Sequence, residues 1–280
     1  MQKSILITGC SSGIGLCVAL GLKQKGWRVF ASARKQSDVV ALREQGLESL
    51  LLDLNDSISI KTAVSKVLFE TEGKLDALFN NGGFGLPGAV EDLSRDAMRA
   101  QFETNVFGWI ELTNQVLPVM RKQGHGRIIM NSSVLGFAAM PYRGAYNASK
   151  FAIEGFSDTL RQELHGTNIK ISLIEPGPIL SQFRSNSYAA FKKFINLDTS
   201  IHKQQYESML LRLNKEGAAA PFTLGPEAVL TKVVHALESP RPAIRYYVTV
   251  PTYLFGYLKR FLPYRVMDMI LIRAGGGGKR

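Results

Sequence analysis

Two hundred and eighty residues carry 34 Lys+Arg against 23 Asp+Glu, a formal net charge of +11, and 45% of the chain is hydrophobic against 20% charged. A chain of this size and composition buries roughly 70–75% of its unfolded surface in one domain. That excludes disorder, a collagen-like repeat and a disulfide scaffold.

Strand-length apolar runs alternate with helix-periodic segments, the βαβ rhythm of a parallel sheet covered on both faces. The expected strands are 4–9, 28–34, 48–54, 75–81, 126–133, 170–177 and 245–249. Helices are expected to begin near Gly13, Ser37, Asp56, Ser94, Gly144 and Pro226, where small, Asx, Ser or Pro residues suit a first turn. The stretch of about 179–222 breaks the rhythm, mixing Tyr188, Phe191, Lys192, Lys193 and Phe194 without a sustained period, and reads as a substrate lid. The division that follows is a single domain over 1–250 and an amphipathic, basic C-terminal extension over 251–280.

In that extension Tyr253, Leu254, Tyr257, Leu258, Phe261 and Leu262 share a helical stripe, and Pro263 should divide it. Lys259, Arg260, Arg265, Asp268 and Arg273 are too many charges for a hydrocarbon core, which argues against a transmembrane helix. Two readings stay open: a segment docked over the substrate site or a subunit interface, and a helix lying on an anionic membrane. The glycines from Gly275 to Gly278, with Lys279 and Arg280, read as a mobile end. Seven of the eleven net charges lie in 241–280, where eight basic residues face Asp268 alone. With no readout motif for nucleic acid, this charge suits an anionic cofactor or a membrane. Cys10 and Cys17 suggest no secreted framework, and MQKSILITG has no h-region, so a cytoplasmic location is expected, with peripheral membrane contact left open.

The first strand runs into Thr8-Gly9-Cys10-Ser11-Ser12-Gly13-Ile14-Gly15. Glycines permit a tight turn and close approach of a pyrophosphate, which the N–H groups of the following helix bind. At the end of the second strand stands Ser32-Ala33-Arg34-Lys35, with no acid until Asp38. A guanidinium there suits a 2′-phosphate better than a ribose diol, pointing to NADP(H). Further on, Ser133 precedes Tyr146-Asn147-Ala148-Ser149-Lys150, which sets Tyr146 and Lys150 on one helix face. A neighbouring ammonium favours phenolate, and bringing a tyrosine from about 10 towards 7 takes on the order of 4 kcal/mol. Tyr146 is then an acid or base for neutral pH.

Taken in order, Thr8-Gly9-x3-Gly13-x-Gly15, Asn80-Asn81-Gly82-Gly83, Asn105, Ser133, Tyr146-x3-Lys150 and Pro176-Gly177 resemble the short-chain dehydrogenase/reductase family over about residues 4–250. Within it, MQKSILITGCSSGIGL, SLIEPGPI, FTLGPEAV and the ending from RYYVTVPT to RVMDMIL are most similar to a bacterial NADP-dependent aldehyde reductase subgroup. The resemblance implies a three-layer α/β/α Rossmann fold with a seven-stranded parallel sheet in the order 3-2-1-4-5-6-7, and a homodimer or homotetramer. It implies Tyr146 as the general acid, Ser133 holding the carbonyl oxygen, Lys150 on the nicotinamide ribose, and Asn105 anchoring a relay water. By the same likeness Gly9, Ser11, Ser12, Gly13 and Ile14 take the pyrophosphate. Asp53 with Leu54 meets adenine, Asn81 and Gly83 border the adenosine ribose, and Pro176, Gly177, Ile179 and Ser181 face the nicotinamide. Gly82 stands where Ala is usual and would loosen its loop, and Ser181 stands where Thr is usual.

Phe84, Leu86, Phe137, Ala138, Met140, Phe183 and Tyr188 are the expected pocket walls, so the expected substrate is a small hydrophobic carbonyl compound, reduced with NADPH. Oxidation of a hydrophobic alcohol and non-catalytic regulation by NADP are the alternatives. Four scattered histidines give no metal-ligand spacing, and Trp109 reads as a core or interface aromatic. Glu154, Asp158 and Glu163 read as a solvated or interface face, and Cys10 as a thiol that could be oxidant-sensitive at a helix N-terminus.

Overall fold

The computed structural model describes residues 2–276, so the expectation for Gly277 through Arg280 lies outside the described residues. Seven parallel strands form one sheet in the order β3-β2-β1-β4-β5-β6-β7. They are β1 (Ser4–Ile7), β2 (Arg28–Ala33), β3 (Glu48–Leu51), β4 (Ala77–Asn80), β5 (Gly126–Asn131), β6 (Ile169–Glu175) and β7 (Arg245–Tyr247). Each ends short of its apolar run because the last residues leave the ladder to build loops at the sheet's C-terminal edge, and β4 also begins two residues late. β1 pairs with both β2 and β4, so the chain order reverses there and opens the crevice in which such sheets bind ligands.

Side chains alternate across the sheet and feed two cores. Leu6, Leu78, Ile128 and Leu173 pack under α3 (Ser57–Glu70), α5 (Gly108–Gln123) and α6 (Gly144–Glu163). Ile5, Ile7, Phe79, Ile129 and Ile174 pack under α1 (Gly13–Gln24), α2 (Gln36–Glu44) and α9 (Glu227–Glu238). The helices begin within a residue or so of the expected positions. Asp56 accepts from Ile58 N at 2.9 Å, and Ser94, which precedes α4 (Arg95–Phe102), accepts from Ala97 N at 3.1 Å.

The lid stretch departs from the expectation: it is α7 (Phe183–Phe194) and α8 (Lys203–Asn214). Phe183, Ser187 and Phe191 recur every fourth residue, a period that Lys192 and Lys193 mask. Phe191, Ile195 and Tyr206 form a small core with Ala89, and Tyr206 donates to Asp92 Oδ2 at 2.5 Å while accepting from Ala89 N at 2.8 Å.

Pro263 does divide the C-terminal segment, into α10 (Val250–Phe261) and α11 (Tyr264–Ala274). Phe255, Met267 and Leu271 pack on Val134 and Ala138, in the loop between β5 and α6. Lys259 Nζ donates to Phe137 O at 2.6 Å. Most of the expected stripe is not docked: Tyr253, Leu254, Tyr257 and Phe261 are exposed, and of the stripe only Leu258 joins Phe255 in the packed cluster. Among the described residues no helix is long and apolar enough to cross a membrane.

Candidate active site

One cavity of about 630 Å³ runs from the loop after β1, past the ends of β4, β5 and β6, and under the lid. Fifteen of the expected site residues line it: Gly9, Ser11, Ser12, Gly13, Ile14, Asn81, Gly83, Asn105, Ser133, Tyr146, Lys150, Pro176, Gly177, Ile179 and Ser181. Arg34, Asp53 and Leu54 lie outside it, beyond the C-terminal ends of β2 and β3. Arg34 is exposed, and its guanidinium has no partner among the described residues.

The phosphate-loop geometry depends on missing side chains. Gly9 (φ +70°) and Gly13 (φ +58°) occupy the left-handed region. A Cβ at Gly15 would stand 2.2 Å from Gly9 O, and one at Gly9 would stand 2.5 Å from Gly82 Cα. Ser12, the N-cap of α1, makes no side-chain capping bond, which leaves first-turn N–H groups to a ligand. Bare backbone at a helix N-terminus fits the pyrophosphate of a dinucleotide.

Gly82 does not loosen its loop. Its N–H donates to Thr8 Oγ1 at 2.8 Å and its carbonyl accepts from Trp109 Nε1 at 2.7 Å. A methyl there would meet Gly9 N and Leu54 Cδ1 at 3.2 Å, so the tight fit favours glycine. Asn81 donates to Thr8 O at 2.9 Å and accepts from Asn131 Nδ2 at 2.9 Å, joining the loops after β1, β4 and β5.

A π-turn, Glu103–Phe107, separates α4 from α5 and turns Asn105 inward. Its side chain is buried, accepting from Phe84 N at 3.1 Å and donating to Phe84 O at 2.9 Å and Ser149 Oγ at 3.3 Å. The amide therefore fastens the loop after β4 to α6.

Ser133 caps the short turn after β5, its Oγ accepting from Leu135 N at 3.1 Å and donating to Pro176 O at 3.5 Å. Lys150 Nζ donates to Asn131 O at 2.6 Å and lies 4.4 Å from the Trp109 ring centroid and 5.6 Å from that of Tyr146. The expected acidification of Tyr146 is absent. Burial pushes its phenol up to about 12, against a smaller downward pull from Ser133. Burial likewise pushes Lys150 down to about 7, with Glu154 pulling it back up. At both groups the cost of burying charge outweighs the i,i+4 attraction.

Several participants carry no sequence signal of their own. Trp109 is fully buried under Lys150, and Asn131 serves both Lys150 and Asn81. Glu154 is not solvated: it is 8% exposed, accepts from Ser132 Oγ at 2.5 Å and is bound by Arg245 Nη2 at 3.0 Å. Arg245 also holds Asp158 at 2.7 Å and lies 3.2 Å from Glu175, which is wholly buried just before Pro176. Burial, then the Glu154 charge, raises the Glu175 carboxyl to about 9, so it is protonated at neutral pH. Spacing of i,i+4 from Lys150 to Glu154 was the one available hint. Glu163 is exposed as expected. Cys10 is buried, and its thiol is raised to about 12 by burial, which removes it as a reactive thiolate.

Phe84, Leu86, Met140 and Phe183 line the cavity, whereas Phe137, Ala138 and Tyr188 do not. The first two of these face the C-terminal helices instead: both join Phe255 and Met267, and Phe137 also lies 5.6 Å from the Tyr247 ring at the end of β7. Their places on the wall are taken by Leu213, Phe222, Leu254 and Phe255.

Residues 3–191 match the short chain dehydrogenase family, to which the chain belongs. Like that family it is an oxidoreductase dependent on a nicotinamide cofactor and acting on alcohol or carbonyl groups. It is 46% identical over 271 residues to the oxidoreductase YbbO of Escherichia coli K12, covering 97% of this chain and 94% of that one. It is 35% identical to a 3-ketodihydrosphingosine reductase of Bacteroides thetaiotaomicron, covering 95% and 96%. Its fold is that of a short chain dehydrogenase/reductase from Burkholderia phymatum in complex with NAD, with a TM-score of 0.77, 24% identity and 92% of each chain covered.

Proposed function

We propose that the chain reduces a hydrophobic aldehyde or ketone to the alcohol with NADPH, in the manner of the aldehyde reductases of its family. The observation that carries this reading is the cavity itself: the hydroxyls of Ser133 and Tyr146 face a space walled by Phe84, Leu86, Met140, Phe183 and Phe255. Such walls bury an alkyl or aryl carbonyl, while polar side chains that also line the cavity, such as Gln182, Arg184, Asn186 and Arg212, come from the lid. A relative named for reducing a keto-sphingoid base agrees with an apolar substrate.

Hydride donation to the carbonyl carbon is the chemistry a bound nicotinamide supplies. Ser133 holds the carbonyl oxygen by a hydrogen bond. Tyr146, kept as a phenol by burial, gives its proton to that oxygen as negative charge develops there. Lys150 and Asn131 position the ribose side of the site, and Asn105 keeps the Phe84 wall in register with α6. Pro176, Gly177, Ile179 and Ser181 border the nicotinamide. Gly9, Ser11, Ser12, Gly13 and Ile14 bind the pyrophosphate, Asn81 and Gly83 the adenosine ribose, and Asp53 with Leu54 the adenine.

Arg34 supports NADP over NAD: it is exposed, with no partner among the described residues, at the end of β2, where no carboxylate stands to take a ribose diol. The working unit we propose is a cytoplasmic homodimer or homotetramer, which sedimentation equilibrium would establish. The deciding assay follows loss of reduced-nicotinamide absorbance with aliphatic, aromatic and sugar aldehydes, each with NADPH and NADH. Turnover of apolar aldehydes with NADPH supports the reading. NADPH binding without turnover of any carbonyl or alcohol overturns it.

A further inference from the structure

The outer side of α10 is apolar where no described residue covers it. Val250, Tyr253, Leu254, Tyr257 and Phe261 are 56%, 41%, 51%, 58% and 80% exposed. At 3.6 residues per turn they fall within an arc of about 100°. Thr252, Phe255 and Gly256, on the opposite side, are buried. The apolar arc thus remains after the helix has already docked by its other face. Across Pro263 it continues to Tyr264, 84% exposed.

Two further observations say what covers this arc. Its border is cationic: Arg260 flanks it on α10, and Arg265 and Arg273 are exposed on α11 beside Met269 and Ile272. None of the three guanidinium groups has an ion-pair or hydrogen-bond partner among the described residues, and Asp268 is the one acid on the two helices. In addition, the arc is continuous with the mouth of the cavity. Val250 and Leu254 belong to both, and the exposed Phe222 and Leu180 complete the rim. Aromatic and aliphatic side chains bordered by unpaired arginines match the interface of an anionic bilayer, where rings sit at headgroup depth and arginines meet phosphates.

We propose that the exposed face of α10–α11 docks on the surface of an anionic lipid bilayer and turns the mouth of the cavity towards the lipid. A substrate dissolved in the membrane then reaches Tyr146 without crossing water. Delivery of substrate rests on the carbonyl-reductase reading above, but docking does not.

The test is co-sedimentation of the full chain with vesicles of phosphatidylcholine alone and of phosphatidylcholine mixed with phosphatidylglycerol. Binding is expected to the mixed vesicles only, and to fall as salt screens the headgroups. Arg260→Gln and Arg265→Gln should each lower the partition coefficient roughly fivefold. Tyr257→Ser with Phe261→Ser should abolish binding while leaving the circular dichroism spectrum and NADPH affinity unchanged, since both side chains lie outside the fold's cores. Equal partition onto neutral vesicles, or none onto either, overturns the proposal. So does a Tyr257/Phe261 variant that keeps its vesicle binding. A change in sedimentation mass for that variant would instead assign the face to a contact between copies of the chain, and would equally overturn it. Vesicle binding without carbonyl turnover would leave the docking intact and sink only the reductase reading.

Discussion

A protonated Tyr146 and a lysine that titrates near neutrality give the site its expected pH behaviour. Because burial raises the phenol to about 12, the acid form is present across the physiological range, and carbonyl reduction should not be lost by ionisation of Tyr146 below that value. Tyr146→Phe removes the proton donor but little of the packing. Turnover should fall by at least about a hundredfold, the usual contribution of general acid catalysis, with NADPH affinity by fluorescence titration nearly unchanged. Arg34→Asp should swing cofactor preference towards NADH, measured as the ratio of kcat/KM for the two cofactors. A persistent preference for NADPH would pass the phosphate-reading role to another residue, such as the neighbouring Lys35. At Gly15 a methyl 2.2 Å from a carbonyl oxygen must push the loop open. Gly15→Ala should weaken cofactor binding more than tenfold in the same titration.

Elements matter here for where they carry their ends. The π-turn adds a residue between α4 and α5, and the extra rotation delivers Asn105 to Phe84 and Ser149. The tail helices act on the site by packing rather than by chemistry. Phe255 touches both the cavity and the Val134–Ala138 loop that follows Ser133. Phe255→Ala should cost about 3–5 kcal/mol of stability if the cavity left behind stays open, and less if α10 collapses into it. The measurement is urea unfolding, with KM for an apolar aldehyde expected to rise because the same ring forms the cavity wall.

At the scale of the molecule, buried carboxyls couple the fold to pH. Glu175 has its folded value raised to about 9, so its contribution to stability is fully present below its ordinary value near 4.5 and is lost as pH rises through about 9. Lys150 acts in the opposite sense, its folded value of about 7 lying below 10.5, so that stability is regained between those limits. Glu175→Gln keeps the neutral shape and cannot ionise. Its Tm should therefore fall less than that of the native chain between about pH 5 and 9, and parallel curves would show that Glu175 is already charged.

What could be read from the residues alone was whatever depends on local order. Apolar runs of fixed length, glycines at 9, 13 and 15, and the spacing from Tyr146 to Lys150 are properties of neighbours in the chain, and backbone geometry turns them directly into strands, a phosphate cradle and a shared helix face. The parallel rhythm, the glycine loop and the Tyr146–Lys150 face were legible for that reason, whereas the sheet order and most of the fifteen residues that line the cavity were expected only from the family likeness. Tertiary structure decided the rest, because burial and charge pairing are set by residues far apart in the chain. Glu154 looks solvent-facing on its helix until Arg245, from the last strand, and Ser132 close over it. Tyr146 is raised instead of lowered because the protein packed around its phenol disfavours the charged form, and α10 shows its aromatic face to the outside because the opposite face packs on Val134 and Ala138.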